Sequence, residues 1–243
     1  MGRLGPITEE LPATGDALFR RRSYMPLLLV PLFLLSILDN RPATPFSWEL
    51  FCFAVALSGL LFRVFVVGTA PHGASTRGTR RPTADSLSTL GAYSIVRHPL
   101  YVANTLVALG CALLSGTWYL PVIVLLLSFV YHERIAAREE AFLQSTFGDK
   151  FRAWANEVPA MIPAFGKYQP SHVPFQLQKV IAQESHGLFA IGTAFFVLDT
   201  LEDSVRLGHL QFDPRWLTIF VATAILFLIV VIVKKTGRRM AEI

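Results

Sequence analysis

The amino-acid sequence predicts an all-α, polytopic integral membrane protein with about six transmembrane helices and a helical hairpin at its core. Three observations carry this. Apolar residues make up 53% of the 243 and charged residues only 16%, where an ordinary soluble domain is about 25% charged. The shortfall comes from long uncharged stretches, which exclude disorder and argue against a soluble enzyme. The basic residues then fall on alternate sides of those stretches, as membrane insertion requires.

Six apolar segments follow one another. The first, residues 23–38, stands behind Arg20, Arg21 and Arg22 and contains Pro26 and Pro31, so a kink near Pro31 is expected. A basic start before a short apolar run also describes a signal peptide, but the small-x-small cleavage site is missing. The second segment, 46–70, has Glu49 near one end and Arg63 close enough to the other to snorkel. The third (100–114) and fourth (118–131) are separated by Ser115-Gly116-Thr117. Each is shorter than the roughly 20 residues a span needs, so they form a tight hairpin whose ends continue into polar surroundings. The fifth covers 186–201 and the sixth 216–233.

With the N-terminus inside, the inner side collects Arg3, Arg20–Arg22, Arg77, Arg80, Arg81, Arg97, Arg134, Arg138, Lys150, Arg152, Lys167, Lys179, Lys234, Lys235, Arg238 and Arg239. The outer side holds only Arg41, Arg206 and Arg215. Six spans with both termini in the cytoplasm satisfy the positive-inside rule in every inner loop. The net charge of +5 is therefore a membrane-surface anchor, and no nucleic-acid partner is expected. Cys52 and Cys111 lie inside apolar stretches without a CxxC pair, so neither a disulfide framework nor a metal is expected. The length allows one membrane domain over residues 1–243.

Several local features qualify this outline. Residues 71–90 are rich in small, polar and turn-forming types and make an inner loop; 163–175, with Pro163, Pro170 and Pro174, form a second irregular connection. Phe175, Leu177, Val180 and Ile181 then recur at helical spacing, which predicts an amphipathic interfacial helix before the fifth span. Asp199, Glu202 and Asp203 are expected to cap the outer end of that span, and His186 to mark its inner interface. Trp118, Tyr119, Tyr131 and Trp216 fit aromatic belts. Gly110, Ala112 and Ser115 are small enough to let the hairpin helices approach closely.

From Val122 to Phe147 there is neither Pro nor Gly, so one helix can run about 39 Å at 1.5 Å per residue, longer than the bilayer core. Its second half, HERIAAREEAFLQSTF, is charged and must leave the membrane. Folding the chain back at Gly116 sets Tyr101 opposite Tyr131 and Arg97–His98 opposite Arg134–Ile135. Arg97, His98 and Tyr101 then meet Glu133, Glu139 and Glu140 at one inner membrane edge. Ionisable residues at such a boundary with partners nearby are candidates for function; an ion-pair cluster that merely anchors helix ends is the plain alternative. His132-Glu133 begins like a zinc-protease HExxH, but Ala136 breaks that motif.

Two blocks flank the hairpin. GAYSIVRHPLYVAN (91–104) resembles the RHPxYxG motif of the isoprenylcysteine carboxyl methyltransferase family, whose superfamily includes phospholipid methyltransferases. EEAFLQSTFGDKFRAWANEVPAMIP (139–163) is similar to that family's second signature of paired glutamates, Leu, Phe-Gly, an aromatic and VPxxIP. The resemblance covers about residues 46–165 and leaves the helical pair within 186–233 as an addition to the usual core. Ala103 stands where the family usually has Gly, which bears on how closely the backbone there approaches the cofactor.

The resemblance implies an enzyme with a cytosol-facing pocket for S-adenosylmethionine, its membrane lipid or lipidated acceptor arriving sideways from the bilayer, in a bacterial inner membrane. It implies catalytic roles for Arg97 and Glu139 and cofactor-binding roles for His98, Pro99, Tyr101 and Glu140. Which glutamate serves which partner stays open, as do the acceptor, O- versus N-methylation and the oligomeric state. The stretch 78–101 is similar to bacterial members that methylate lipid phosphates, and Arg77, Arg80 and Arg81 suit phosphate headgroups as well as ordinary inner-loop charge. Two other readings compete: an NADPH-dependent membrane reductase of sterol-reductase type, and a small transporter or lipid-binding scaffold.

Overall fold

The computed structural model describes residues 29–39, 42–71 and 86–241, with side chains to residue 236. Seven α-helices occur among them: α1 (Val30–Ile37), α2 (Phe46–Thr69), α3 (Pro99–Leu114), α4 (Tyr119–Phe147), α5 (Asp149–Glu157), α6 (Leu177–Leu207) and α7 (Pro214–Ala241). The described residues contain no strand, only a single antiparallel bridge between Gly91 and Gln169. Arg3, Pro26, the Arg20–Arg22 cluster, Arg41, Arg77, Arg80, Arg81 and both chain ends lie outside the described residues.

Three helices are long and apolar enough to cross a membrane, namely α2, α4 and residues 214–236 of α7. The apolar α3 has 16 residues, and α6 is long but carries charges along its length. The expected hairpin is present. α3 and α4 are joined by a turn in which Ser115 Oγ donates to Ala112 O at 2.7 Å and lies 2.9 Å from Thr117 Oγ1. α4 runs on unbroken to Phe147, as the absence of Pro and Gly after Val122 requires.

Other expectations change for physical reasons. Pro31 does not kink α1: it stands in the first turn, where a missing N–H costs nothing. The amphipathic stretch before the fifth segment is not a separate helix. Nothing between Leu177 and Leu207 breaks the ladder, so the amphipathic stretch and the apolar fifth segment share α6. Asp199 consequently lies inside α6 rather than capping it, and the helix closes at Gly208. Trp216 belongs to no exposed belt; it is 1% exposed and its indole N–H donates to Glu49 at 2.9 Å.

The core is centred on α2. Cys52, Ala56 and Leu60 pack with Leu114 of α3, Ile191 and Phe195 of α6 and Trp216 of α7. A second cluster, Ala112 with Leu120 and Val124, closes the hairpin against Leu32 and Phe33 of α1. The antiparallel α2–α3 contact is unusually close. A Cβ on Gly110 would lie 2.5 Å from Ala56 N, and one on Gly59 would lie 2.6 Å from Ala103 O. Gly110 therefore serves the α2–α3 seam and not the hairpin, while Ala112 does face α4. Small residues let helix backbones meet where lipid supplies no hydrophobic drive.

Both ends of α2 are tied to the last two helices. At one pole Glu49 meets Trp216. At the other, Gln176 N donates to Gly68 O at 2.9 Å and Lys179 Nζ to Ala70 O at 2.7 Å. This second pole also gathers the start of α3 and, through a Lys234–Ala182 contact, the end of α7.

Candidate functional site

The approach to α3 is fixed residue by residue. Gly91 adopts φ 64°, a left-handed backbone that suits glycine, and pairs its N–H with Gln169 O at 2.8 Å. Ser94 Oγ then bridges Gly91 O and Gln169 N at 2.7 and 2.8 Å. A single 3-10 turn (Ala92–Ser94) and a short irregular link then lead to His98, and Pro99 opens α3.

The VPxxIP stretch lies alongside. Arg97 N donates to Pro159 O at 2.9 Å, His98 N to Ala160 O at 3.2 Å, and Ala164 N to Ile95 O at 2.8 Å. Trp154 of α5 donates its indole N–H to Tyr93 O at 3.1 Å. The two signatures, more than forty residues apart, thus become one backbone frame around Arg97 and His98.

The side chains on that frame form a clasp across the hairpin. Arg97 Nη1 donates to Glu140 Oε2 at 2.8 Å. His98 Nε2 lies 2.8 Å from Glu140 Oε1, and its Nδ1 is 3.6 Å from Glu139 Oε2. His98 is 7% exposed. Burial by itself would drive its proton off, but the hydrogen bonds and charges of Glu139 and Glu140 outweigh this and hold its pKa above the ordinary 6.5. Tyr101 stacks between two imidazoles, 5.4 Å from the His98 ring and 4.8 Å from His132. Thr105 Oγ1 lies 3.2 Å from His132 Nδ1.

The structure therefore brings Arg97, His98, Pro99, Tyr101, Glu139 and Glu140 together. It leaves Glu133 on an exposed face of α4. Mirror pairing about Gly116 set Tyr101 against Tyr131, whereas its stacking partner on α4 is His132. That histidine was passed over with the failed HExxH motif. The usable signal was its spacing: His132, Ala136, Glu139 and Glu140 lie on one helical face. Ala103 is fully buried, and its carbonyl oxygen lies at the close Gly59 contact with α2.

The donor set suits a small zwitterionic ligand. Arg97 Nε is buried and, among the described residues, has no hydrogen-bond partner, a donor available to a carboxylate or phosphate. Glu139 and Glu140 offer acceptors for an ammonium or sugar hydroxyls.

The hairpin and its surroundings are similar to known proteins. Residues 51–150 match the phospholipid methyltransferase family. Over 77 residues the chain is 36% identical to protein-S-isoprenylcysteine O-methyltransferase of Schizosaccharomyces pombe, a match covering 32% of this chain and 33% of that one. Over 85 residues it is 32% identical to the cobalt-zinc-cadmium resistance protein CzcN of Cupriavidus metallidurans, covering 35% and 39% respectively. The chain thus spans between a third and two-fifths of the length of these curated relatives. No solved structure matches. The family match takes in the hairpin, the first signature and the start of the second.

Proposed function

We propose that the protein is an S-adenosylmethionine-dependent membrane methyltransferase that acts on a lipid or lipidated acceptor. The observation that supports this best is the Arg97–Glu140–His98 clasp, in which both signatures of a methyltransferase superfamily converge on one partly buried site. In this reading residues 1–243 form one membrane domain, 46–165 are its methyltransferase core, and the pair within 186–233 flanks that core. Six crossings place the clasp and both termini on the cytoplasmic side of a bacterial inner membrane.

When bound, the cofactor supplies an electrophilic methyl group on a sulfonium. His98, Pro99, Tyr101 and Glu140 hold it, with Glu140 oriented by its two cationic neighbours. Arg97 directs its free Nε–H at a carboxylate or phosphate. Glu139 faces the acceptor. A carboxylate or phosphate acceptor is already anionic and needs no strong base; with an amine, Glu139 takes the proton. The remaining work is alignment, since in-line displacement gains most from holding its reactants in register.

The test is incubation of total membrane lipids with the purified protein and isotope-labelled S-adenosylmethionine, followed by mass spectrometry of what gains a methyl. Calorimetry with both nucleotides decides against the reductase: binding of NADPH alone overturns the proposal. Solute movement in liposomes without binding of either cofactor favours the transporter.

A further inference from the structure

Below the clasp, a second polar group interrupts the apolar helices. Arg63 Nε and Nη2 donate to Glu184 Oε2 and Oε1 at 2.7 and 3.2 Å, and Nη1 donates to Asn104 Oδ1 at 2.5 Å. Glu184 is 4% exposed. Arg63 thus does not snorkel to the helix end; it joins α2, α3 and the added helix α6.

This arrangement fixes the orientation of Asn104. A guanidinium has donors only, so the amide must turn its oxygen to Arg63 and its NH2 away. Among the described residues the Asn104 amide bonds only to Arg63, through its oxygen, and the residue is exposed. Its neighbours on the same face of α3, three and four residues away, are Leu100, Tyr101, Val107 and Ala108. An amide donor displayed on such a surface is costly unless an acceptor meets it.

Depth narrows the acceptor. Asn104 lies five residues into α3 and Arg63 six residues before the end of α2, which places both about 8–9 Å from the clasp pole at 1.5 Å per residue. The polar headgroup layer of a bilayer is about 5–8 Å thick on each side. A lipid whose headgroup reaches Arg97 therefore has its acyl-ester carbonyls at the level of Asn104. A prenyl chain offers only hydrocarbon there.

We propose that Asn104 Nδ2, held in place by Arg63 and Glu184, donates a hydrogen bond to an acyl-ester carbonyl of the acceptor, so that the acceptor is an ester lipid and not a prenylated one. This rests on the methyltransferase reading for the position of the headgroup. It also gives α6 a task, since Glu184 fixes the arginine that orients the amide.

The experiment presents the purified protein with equimolar 1,2-dioleoyl phosphatidic acid and its dialkyl-ether counterpart, and measures retained lipid by native mass spectrometry. The wild type should retain the diester about fivefold over the diether, the effect of one hydrogen bond. Asn104→Asp keeps an oxygen for Arg63 but has no donor, and should retain both equally. Asn104→Leu should do the same, and Asn104→Asp stands alone if Asn104→Leu fails to fold. Equal retention by the wild type, or an undiminished preference in Asn104→Asp, overturns the proposal. S-adenosylmethionine binding in the same preparation is scored separately. Its absence beside an intact ester preference removes the enzymatic reading and leaves the carbonyl site; its presence without that preference removes the carbonyl site alone.

Discussion

His98 and Glu140 are joined at 2.8 Å although 42 residues separate them, and Arg97 binds the other oxygen of the same carboxylate at 2.8 Å. One glutamate on α4 thereby holds two consecutive cationic residues at the mouth of α3. The bond closes the hairpin at its polar end and orders the groups to which we assign cofactor binding.

Glu140→Gln and Arg97→Ala should each reduce methyl transfer by at least about 100-fold, consistent with loss of a charged, oriented contact at a reacting centre. Stability should fall by only about 1–3 kcal/mol, because the bonds lost are few and partly solvated. Labelled-methyl incorporation beside thermal unfolding in detergent separates the two effects. Near-normal turnover in both variants would remove the site assignment.

Acidity acts on the clasp through His98, whose folded-state pKa is raised above 6.5 by Glu139 and Glu140 despite its burial. A raised value means that the folded protein holds the proton more tightly than the unfolded chain. The stabilisation is complete below the unfolded value and is lost as pH rises through the higher folded one. Unfolding temperature should therefore decline as pH climbs above the ordinary histidine range, and His98→Gln should flatten that part of the curve. A profile unchanged by His98→Gln would contradict this.

The α2–α3 seam should be intolerant of added atoms. Gly110→Ala puts a methyl 2.5 Å from Ala56 N and 2.7 Å from Cys52 O, both backbone atoms that cannot swing aside. We expect a loss of about 1–3 kcal/mol, read as lowered thermal stability. Because the clasp lies at the far end of α3, S-adenosylmethionine affinity in the variant that still folds should change little.

Glu184→Leu leaves the Arg63 guanidinium without its anion while Asn104 still accepts one bond. Breaking such a pair from one side should cost about 3 kcal/mol, whereas Arg63→Met combined with Glu184→Leu should cost much less. A double-mutant cycle measures the difference. Equal costs for single and double variants would show that the pair contributes nothing specific to holding α6 on the core.

Much of the architecture was legible because helices in lipid are written in composition. The Pro- and Gly-free run after Val122, the turn at Ser115–Thr117 and the two motifs on either side predicted that Arg97 and His98 would face the paired glutamates. Spacing on α4 misassigned the ring opposite Tyr101, since mirror counting about a turn ignores the crossing angle between helices. The boundary before the fifth segment misled for a related reason: polarity changes along α6, but hydrogen bonding does not stop.

The sequence by itself determined that the chain is helical and membrane-embedded, and it named the residues of the clasp, because hydropathy, charge placement and helix-breaking residues act locally. Only the tertiary structure decided which carboxylate meets which cation. It buried Trp216 against Glu49, turned Gly110 towards α2, and set Glu184 of α6 on Arg63. Those outcomes depend on which faces of distant helices come within bonding distance, and a hydrogen bond a few ångströms long has no signature in the spacing of residues 121 positions apart.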